Sequence, residues 1–378
     1  MKDLTPGSSP ISNPRTHYQV LDALRGVAAI TVVIFHLFEI FSAGDHTRQI
    51  VNHGYLAVDF FFVLSGFVIG HAYDDRWDTM TLRGFFARRL IRLHPMVIMG
   101  MIIGAIGFYF SASAVLFPGI SQVPVWKLLL VMLIGCTLLP VPTSLDIRGW
   151  TEMHPLNGPA WTLFFEYIAN ILYALVLRRL PVTVLAVLAF LAAGATVHLA
   201  VTHGDVIGGW SLEPAQLRIG FTRLLYPFLA GLLLSRVIKP AKVANAFLWC
   251  SLLLVLVLAF PRIGDATSGW SNGIYDSFVI IVIFPLLVFL GASGQVKGEK
   301  TLAVCRFLGS ISYPIYITHY PLIYIFSAWV VDNNVPLSEV WPVGAGVLIA
   351  SIVLAYAMVG LYDLPVRKWL TGKFMGGR

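Results

Sequence analysis

The sequence predicts an all-α fold: an integral membrane helical bundle of about ten transmembrane helices plus a short re-entrant or interfacial segment. Three observations predict it. Hydrophobic residues make up 57% of the 378 and charged residues only 12%, about half the roughly 25% usual in soluble domains. Mean hydropathy is +0.79. A larger soluble core cannot explain this, because a water-facing surface still needs charge, whereas a lipid-facing chain satisfies its backbone inside helices. Finally, apolar stretches of about 20 residues, long enough to cross a bilayer, recur along the chain. The aromatic content of 13% agrees, since Trp and Tyr anchor helices at headgroup level.

Taken in order, residues 1–17 are polar, contain Pro6, Pro10 and Pro14, and have no apolar core of a signal peptide. They read as a flexible cytoplasmic tail, so the first membrane helix must act as its own insertion signal. Spans are expected near 20–41, 54–73, 95–116, 159–177, 181–201, 217–235, 244–260, 274–291, 306–328 and 341–362. The apolar stretch 126–140 is only about fifteen residues long, too short to cross comfortably. These segments form one transmembrane domain, 18–366, followed by a basic cytoplasmic tail, 367–378. No repeat or soluble insert interrupts it.

Charge sets the expected orientation. Loop 74–94 holds Arg76, Arg83, Arg88, Arg89 and Arg92, and basic loops stay in the cytoplasm. Arg178 with Arg179, Arg236 with Lys239 and Lys242, Lys297 with Lys300 and Arg306, and the basic end of the chain fall on that same side only if 126–140 does not cross. Both termini are then cytoplasmic, in a cell inner membrane. The net charge of +7 belongs to these short clusters, with no aromatic-rich basic domain, so nucleic acid is set aside as a partner and membrane lipid is expected. Cys136, Cys250 and Cys305 are odd in number and widely spaced, which suits free thiols better than bridges or a metal site. No metal is expected.

Charges in lipid need a reason, since each costs at least roughly 2.5–3.5 kcal/mol near the bilayer centre. Arg25 and His36 lie eleven residues apart on one helical face, roughly 16 Å along the axis. They are either a snorkelling anchor and a core histidine or parts of a site. Asp59 opens the second span as a cap or as a partner for a histidine. Ser65-Gly66 suits close helix packing. Arg89 and Arg92, three apart beside Arg88, make a fork suited to phosphates, although positive-inside anchoring also accounts for them. Glu166 lies less than two turns into its helix, with no partner nearby in sequence. His319 is mid-span beside Pro321, which cannot bond the Ile317 carbonyl, so a bend is expected there.

Together these residues resemble the acyltransferase 3 family of multipass bacterial O-acyltransferases. The matching features are Arg25 with His36, Val58-Asp59-Phe60-Phe61-Phe62 running on to Ser65-Gly66-Phe67, Arg88-Arg89-Leu90-Ile91-Arg92, Trp161-Thr162-Leu163-Phe164-Phe165-Glu166, and Ser312-Tyr313-Pro314 running on to Thr318-His319. They keep the family's order across nearly the whole chain. Two positions depart from it: His53 where paired glycines are common, and Asp363-Leu364-Pro365 where Glu-x-Pro is common. No fused hydrolase-like domain is expected.

The resemblance implies transfer of an acyl group, usually acetyl, from cytoplasmic acyl-CoA to a hydroxyl of a carbohydrate or related acceptor on the outer side, as in polysaccharide O-acetylation. Acyl-CoA is then a co-substrate, with no permanently bound cofactor. Arg25, Arg88, Arg89, Arg92 and Tyr313 are the candidate donor-binding residues. His36, Asp59, Glu166 and His319 are the candidate catalytic ones, with His36 as base or transient acyl acceptor and either carboxylate orienting an imidazole. A secondary transporter or exporter of a small polar molecule is the alternative, since transporters also bury charge at mid-membrane, but they more often show an internal repeat.

Overall fold

The structure, a computed structural model, describes residues 18–42, 45–264 and 268–375. The described residues form helices joined by short turns and loops, without strands. The helices are α1 (Gln19–Glu39), α2 (Ala57–Tyr73), α3 (Leu82–Gly107), α4 (Val125–Cys136), α5 (Ala160–Leu175), α6 (Val182–His203) and α7 (Pro214–Val237). They continue with α8 (Ala246–Ala259), α9 (Trp270–Phe278), α10 (Phe284–Ala292), α11 (Glu299–Thr318), α12 (Tyr320–Asp332), α13 (Trp341–Met358) and α14 (Leu364–Met375). Single π-helical turns join α9 to α10 and α13 to α14, making each pair one continuous rod.

Eight of these rods are long and apolar enough to span a membrane, and the bent pair α11–α12 makes nine. The chain is a multipass membrane protein. The tenth expected span, α8, is apolar but has only 14 residues, about 21 Å of helix against a hydrocarbon core of about 30 Å. The short segment expected at 126–140 is α4, with 12 residues.

The third helix begins thirteen residues before the expected 95. Thr81 caps it, its hydroxyl accepting the Gly84 amide at 3.1 Å, and the residues that follow are mostly good helix formers. Pro95 lies inside the helix rather than at its start. Arg88, Arg89 and Arg92 therefore stand on a helix, not in a loop. The expected tail 1–17 lies outside the described residues. Of 367–378, the part up to Met375 continues α14 as helix, and the rest is likewise outside them.

Two contacts fix the geometry around the site. On α2 and α7, Gly66 and Gly231 sit against each other's backbones: a Cβ on Gly66 would lie 2.1 Å from the Phe228 carbonyl oxygen, and one on Gly231 would lie 2.0 Å from that of Val63. The helices touch as small-residue packing allows. The second contact is the break between α11 and α12, which bends by 54°. Pro321 has no N–H for the Ile317 carbonyl, and the Asn157 side chain donates to that oxygen instead, at 2.6 Å.

Candidate active site

At the end of the bundle where α1 begins, a cavity of about 280 Å³ lies among α1, α2, α3, α5, α11 and α14. Arg25, Arg89, Arg92 and Arg367 line it against the carboxylates Glu166 and Asp363. Glu166 accepts from Arg89 at 2.8 Å and from Ser65 at 3.1 Å, and Asp363 holds Arg367 at 2.9 Å. Arg25 is paired with Asp22 one turn before it. The positive charge in surplus suits an anionic ligand, and Arg guanidinium is the side chain that best matches phosphate. Deeper in, the walls become Phe61, Phe62, Leu64 and Leu163. Tyr313 also lines this cavity, its hydroxyl donating to the Leu93 carbonyl at 2.6 Å.

Toward the other end lies a second cavity of about 420 Å³. His36 and Glu39 line it from the last turn of α1, bonded Nδ1 to Oε2 at 2.7 Å. A carboxylate only accepts, so Nδ1 carries the proton and Nε2 is left as the basic nitrogen. The His36 ring stacks on that of His319 at 5.6 Å and meets Tyr320 edge-on at 4.7 Å. His319 is fully buried, with Nδ1 donating to the Ile315 carbonyl at 2.9 Å. Its Nε2 has no hydrogen-bond partner among the described residues, which leaves a buried lone pair beside the first imidazole.

The remaining walls are aromatic and polar. Trp150, Trp161, Trp210 and Tyr320 line the cavity with Glu152 and Arg223. Glu152, in the loop before α5, accepts from the Tyr324 hydroxyl at 2.6 Å. Burial pushes its carboxyl up to about 7, despite nearby Arg148. Gly158 is what lets this carboxylate approach, for a Cβ there would lie 2.8 Å from Oε1. Asp59 is fully buried and paired with Arg223 at 2.7 Å, while Arg223 also donates to the Tyr55 and Gly208 carbonyls.

The structure thus separates the candidate residues into groups. Arg25, Arg89, Arg92, Tyr313 and Glu166 share the first cavity, and His36 and His319 meet at the second. Arg88 is apart from both. One residue along the helix from Arg89, it turns away, bonds the Gly84 carbonyl at 3.3 Å and borders a different groove with Arg83 and Trp369. The expectation that Asp59 or Glu166 orients an imidazole is corrected: each is bonded to an arginine, and Glu39 holds His36. Glu39 was legible as a carboxylate three residues from a histidine on one helix. Arg223, Arg367 and Glu152 become site residues only through packing between separate segments, as Arg223 pairs with Asp59 164 positions away and Glu152 with Tyr324 172 positions away.

Among known proteins, a family model described as an acyltransferase domain matches residues 18–360. A protein of Rhizobium radiobacter named protein 2 in picA locus is 33% identical over 43% of this chain and 83% of its own length. O-acetyltransferase OatA of Staphylococcus aureus is 23% identical over 92% of this chain and 57% of its own. Another Staphylococcus aureus protein with an O-acetyltransferase name is 24% identical over the same shares. The chain thus spans a little over half the length of these O-acetyltransferase relatives. No solved structure matches.

Proposed function

Because the chain belongs to the acyltransferase 3 family, we propose that it moves an acyl group, acetyl in the first instance, from acyl-CoA to a hydroxyl of a carbohydrate-type acceptor. The observation that carries this reading is the His36–Glu39 pair on a cavity whose inner wall backs onto an arginine-lined one. The arginine cavity offers charge for the phosphates of CoA and an apolar throat for its pantetheine arm. The other offers three indoles, on whose faces a sugar ring can lie, and Glu152 to accept from its hydroxyls. By the distribution of basic loops, the arginine end faces the cytoplasm of an inner membrane, with both termini there, and the acceptor arrives from outside.

The chemistry follows from the hydrogen bonds. His36 Nε2 takes the proton of the acceptor hydroxyl as its oxygen attacks the thioester carbonyl. The C–O bond forms, the C–S bond breaks, and the proton passes to the departing CoA thiolate. Glu39 fixes the tautomer and stabilises the imidazolium between those events, and a base so placed contributes about 10²–10⁴-fold in rate. Purified protein given acetyl-CoA and a mixture of bacterial surface glycans should release free CoA and yield an O-acetylated glycan. His36→Ala should bring this near background while the protein still accumulates in membranes. Glu39→Gln should lower kcat by tenfold or more with little change in the KM for acetyl-CoA. Wild-type turnover by His36→Ala would sink the assignment of the base.

A further inference from the structure

Val58 of α2 and Tyr316 of α11 line both cavities. Both are buried. The Tyr316 hydroxyl shares a hydrogen bond with Thr162 at 2.8 Å and lies 3.4 Å from the Pro159 carbonyl. Thr162 belongs to the wall of the arginine cavity and Pro159 to that of the histidine cavity. Phe61 braces the ring edge-on at 5.3 Å, and His319 is one turn further along the same helix, its ring 6.2 Å away. A layer one side chain thick, pinned at the start of α5 by hydrogen bonds to Thr162 and to the Pro159 carbonyl, therefore separates the chamber suited to the donor from the one that contains the base.

From this arrangement we infer that Val58 and Tyr316, latched by Thr162, form a gate that sets the length of the acyl group transferred and keeps water from the thioester. The inference rests on the acyltransferase reading above. In that reading His36 touches only the far chamber, so the thioester carbonyl must enter the gap between Val58 and Tyr316 to be attacked. Space in that gap is limited by two side chains of fixed size. A two-carbon acyl group passes with its carbonyl at the gap, whereas each added methylene must fit beside two side chains packed as densely as any interior or take space from the acceptor in the far chamber. Pockets discriminate by roughly 10–200-fold per methylene. With the ring latched, solvent in the acceptor chamber is held off the carbonyl; unlatched, water can replace the acceptor. Its oxygen then attacks the thioester carbon, the C–S bond breaks, and free acid and CoA thiol are the products.

The test uses the full-length protein in nanodiscs and compares acetyl-CoA, butyryl-CoA and hexanoyl-CoA as donors, with and without acceptor. Variants Val58→Ala, Thr162→Val and Tyr316→Phe are measured against wild type. Val58→Ala should raise the ratio of kcat/KM for butyryl to that for acetyl about tenfold or more. Thr162→Val removes the shorter of the two latching hydrogen bonds and Tyr316→Phe removes both, each keeping volume, and acceptor-free hydrolysis of acetyl-CoA should rise several-fold, more in Tyr316→Phe. A donor-length profile and a hydrolysis rate that stay at wild-type values in all three overturn the gate. If Tyr316→Phe fails to accumulate, the other two decide by the same criteria. Should wild-type protein consume no acyl-CoA with any acceptor, the acyltransferase reading falls and the gate with it. Turnover by wild type with an unmoved profile in the variants removes the gate alone.

Discussion

Glu152 shows how much one side chain can contribute to a site without touching the histidines. It lies in a loop, yet it is buried against Tyr324 and faces the indole-lined cavity. With its carboxyl pushed up to about 7 by burial, it is a carboxylate above that pH and a neutral acid below it. Only the ionised form accepts hydrogen bonds through both oxygens. The KM for a polyhydroxyl acceptor should therefore rise as pH falls from about 8 to 6, with the change centred near 7. In Glu152→Gln the same titration should be flat, at a KM close to the low-pH value of wild type. A wild-type KM that is constant across that window would show that Glu152 does not meet the acceptor.

At the scale of elements, the break between α11 and α12 is what delivers His319 to His36. The Pro321 amide cannot complete the helix, and Asn157, 160 positions earlier in the chain, supplies the missing donor to Ile317. Removing a partner from a buried carbonyl costs about 1–3 kcal/mol. Asn157→Ala should accordingly lower the melting midpoint in detergent by several degrees and reduce transfer, because the hinge angle is no longer held. Asn157→Asp, which presents no donor when ionised, should not restore either property. An unchanged midpoint in Asn157→Ala would mean that the bend is set by Pro321 alone.

This hinge also marks what the sequence made readable. Hydropathy located the apolar runs, because span length is imposed by the bilayer, and the proline announced the bend. Hydropathy could not locate the start of α3, since arginines depress the average without weakening the helix. Nor could it pair Asp59 with Arg223 or place Glu166 beside Arg89. Those partners come from different helices, and a carboxylate's neighbours depend on how rods rotate against one another. His36 with Glu39 was accessible because both lie on one turn. The indoles of Trp150, Trp161 and Trp210 read as interfacial anchors, and only the packing of two loops against the start of α5 brings them to one cavity.

For the molecule as a whole, what decides its behaviour in a charged membrane is that two cavities reach toward each other from opposite ends and stop at the layer holding Val58 and Tyr316. A transmembrane voltage falls mainly where solvent does not penetrate, so this layer receives a concentrated electric field. Carrying one unit charge through 100 mV takes about 2.3 kcal/mol. In the proposed transfer the acyl group passes one way and the acceptor's proton the other, to the thiolate, so the exchange carries no net charge. The phosphates of CoA would stay among Arg25, Arg89 and Arg92 on the near side. Such a handover is electrically silent: proteoliposomes clamped at either polarity by potassium gradients should transfer at equal rates. A rate that tracked the imposed potential would mean that a charged species crosses with the acyl group. Under the proposed transfer, a barrier thin to a neutral acyl group and thick to an ion would allow a cell to modify molecules beyond its membrane without discharging the gradient that powers it.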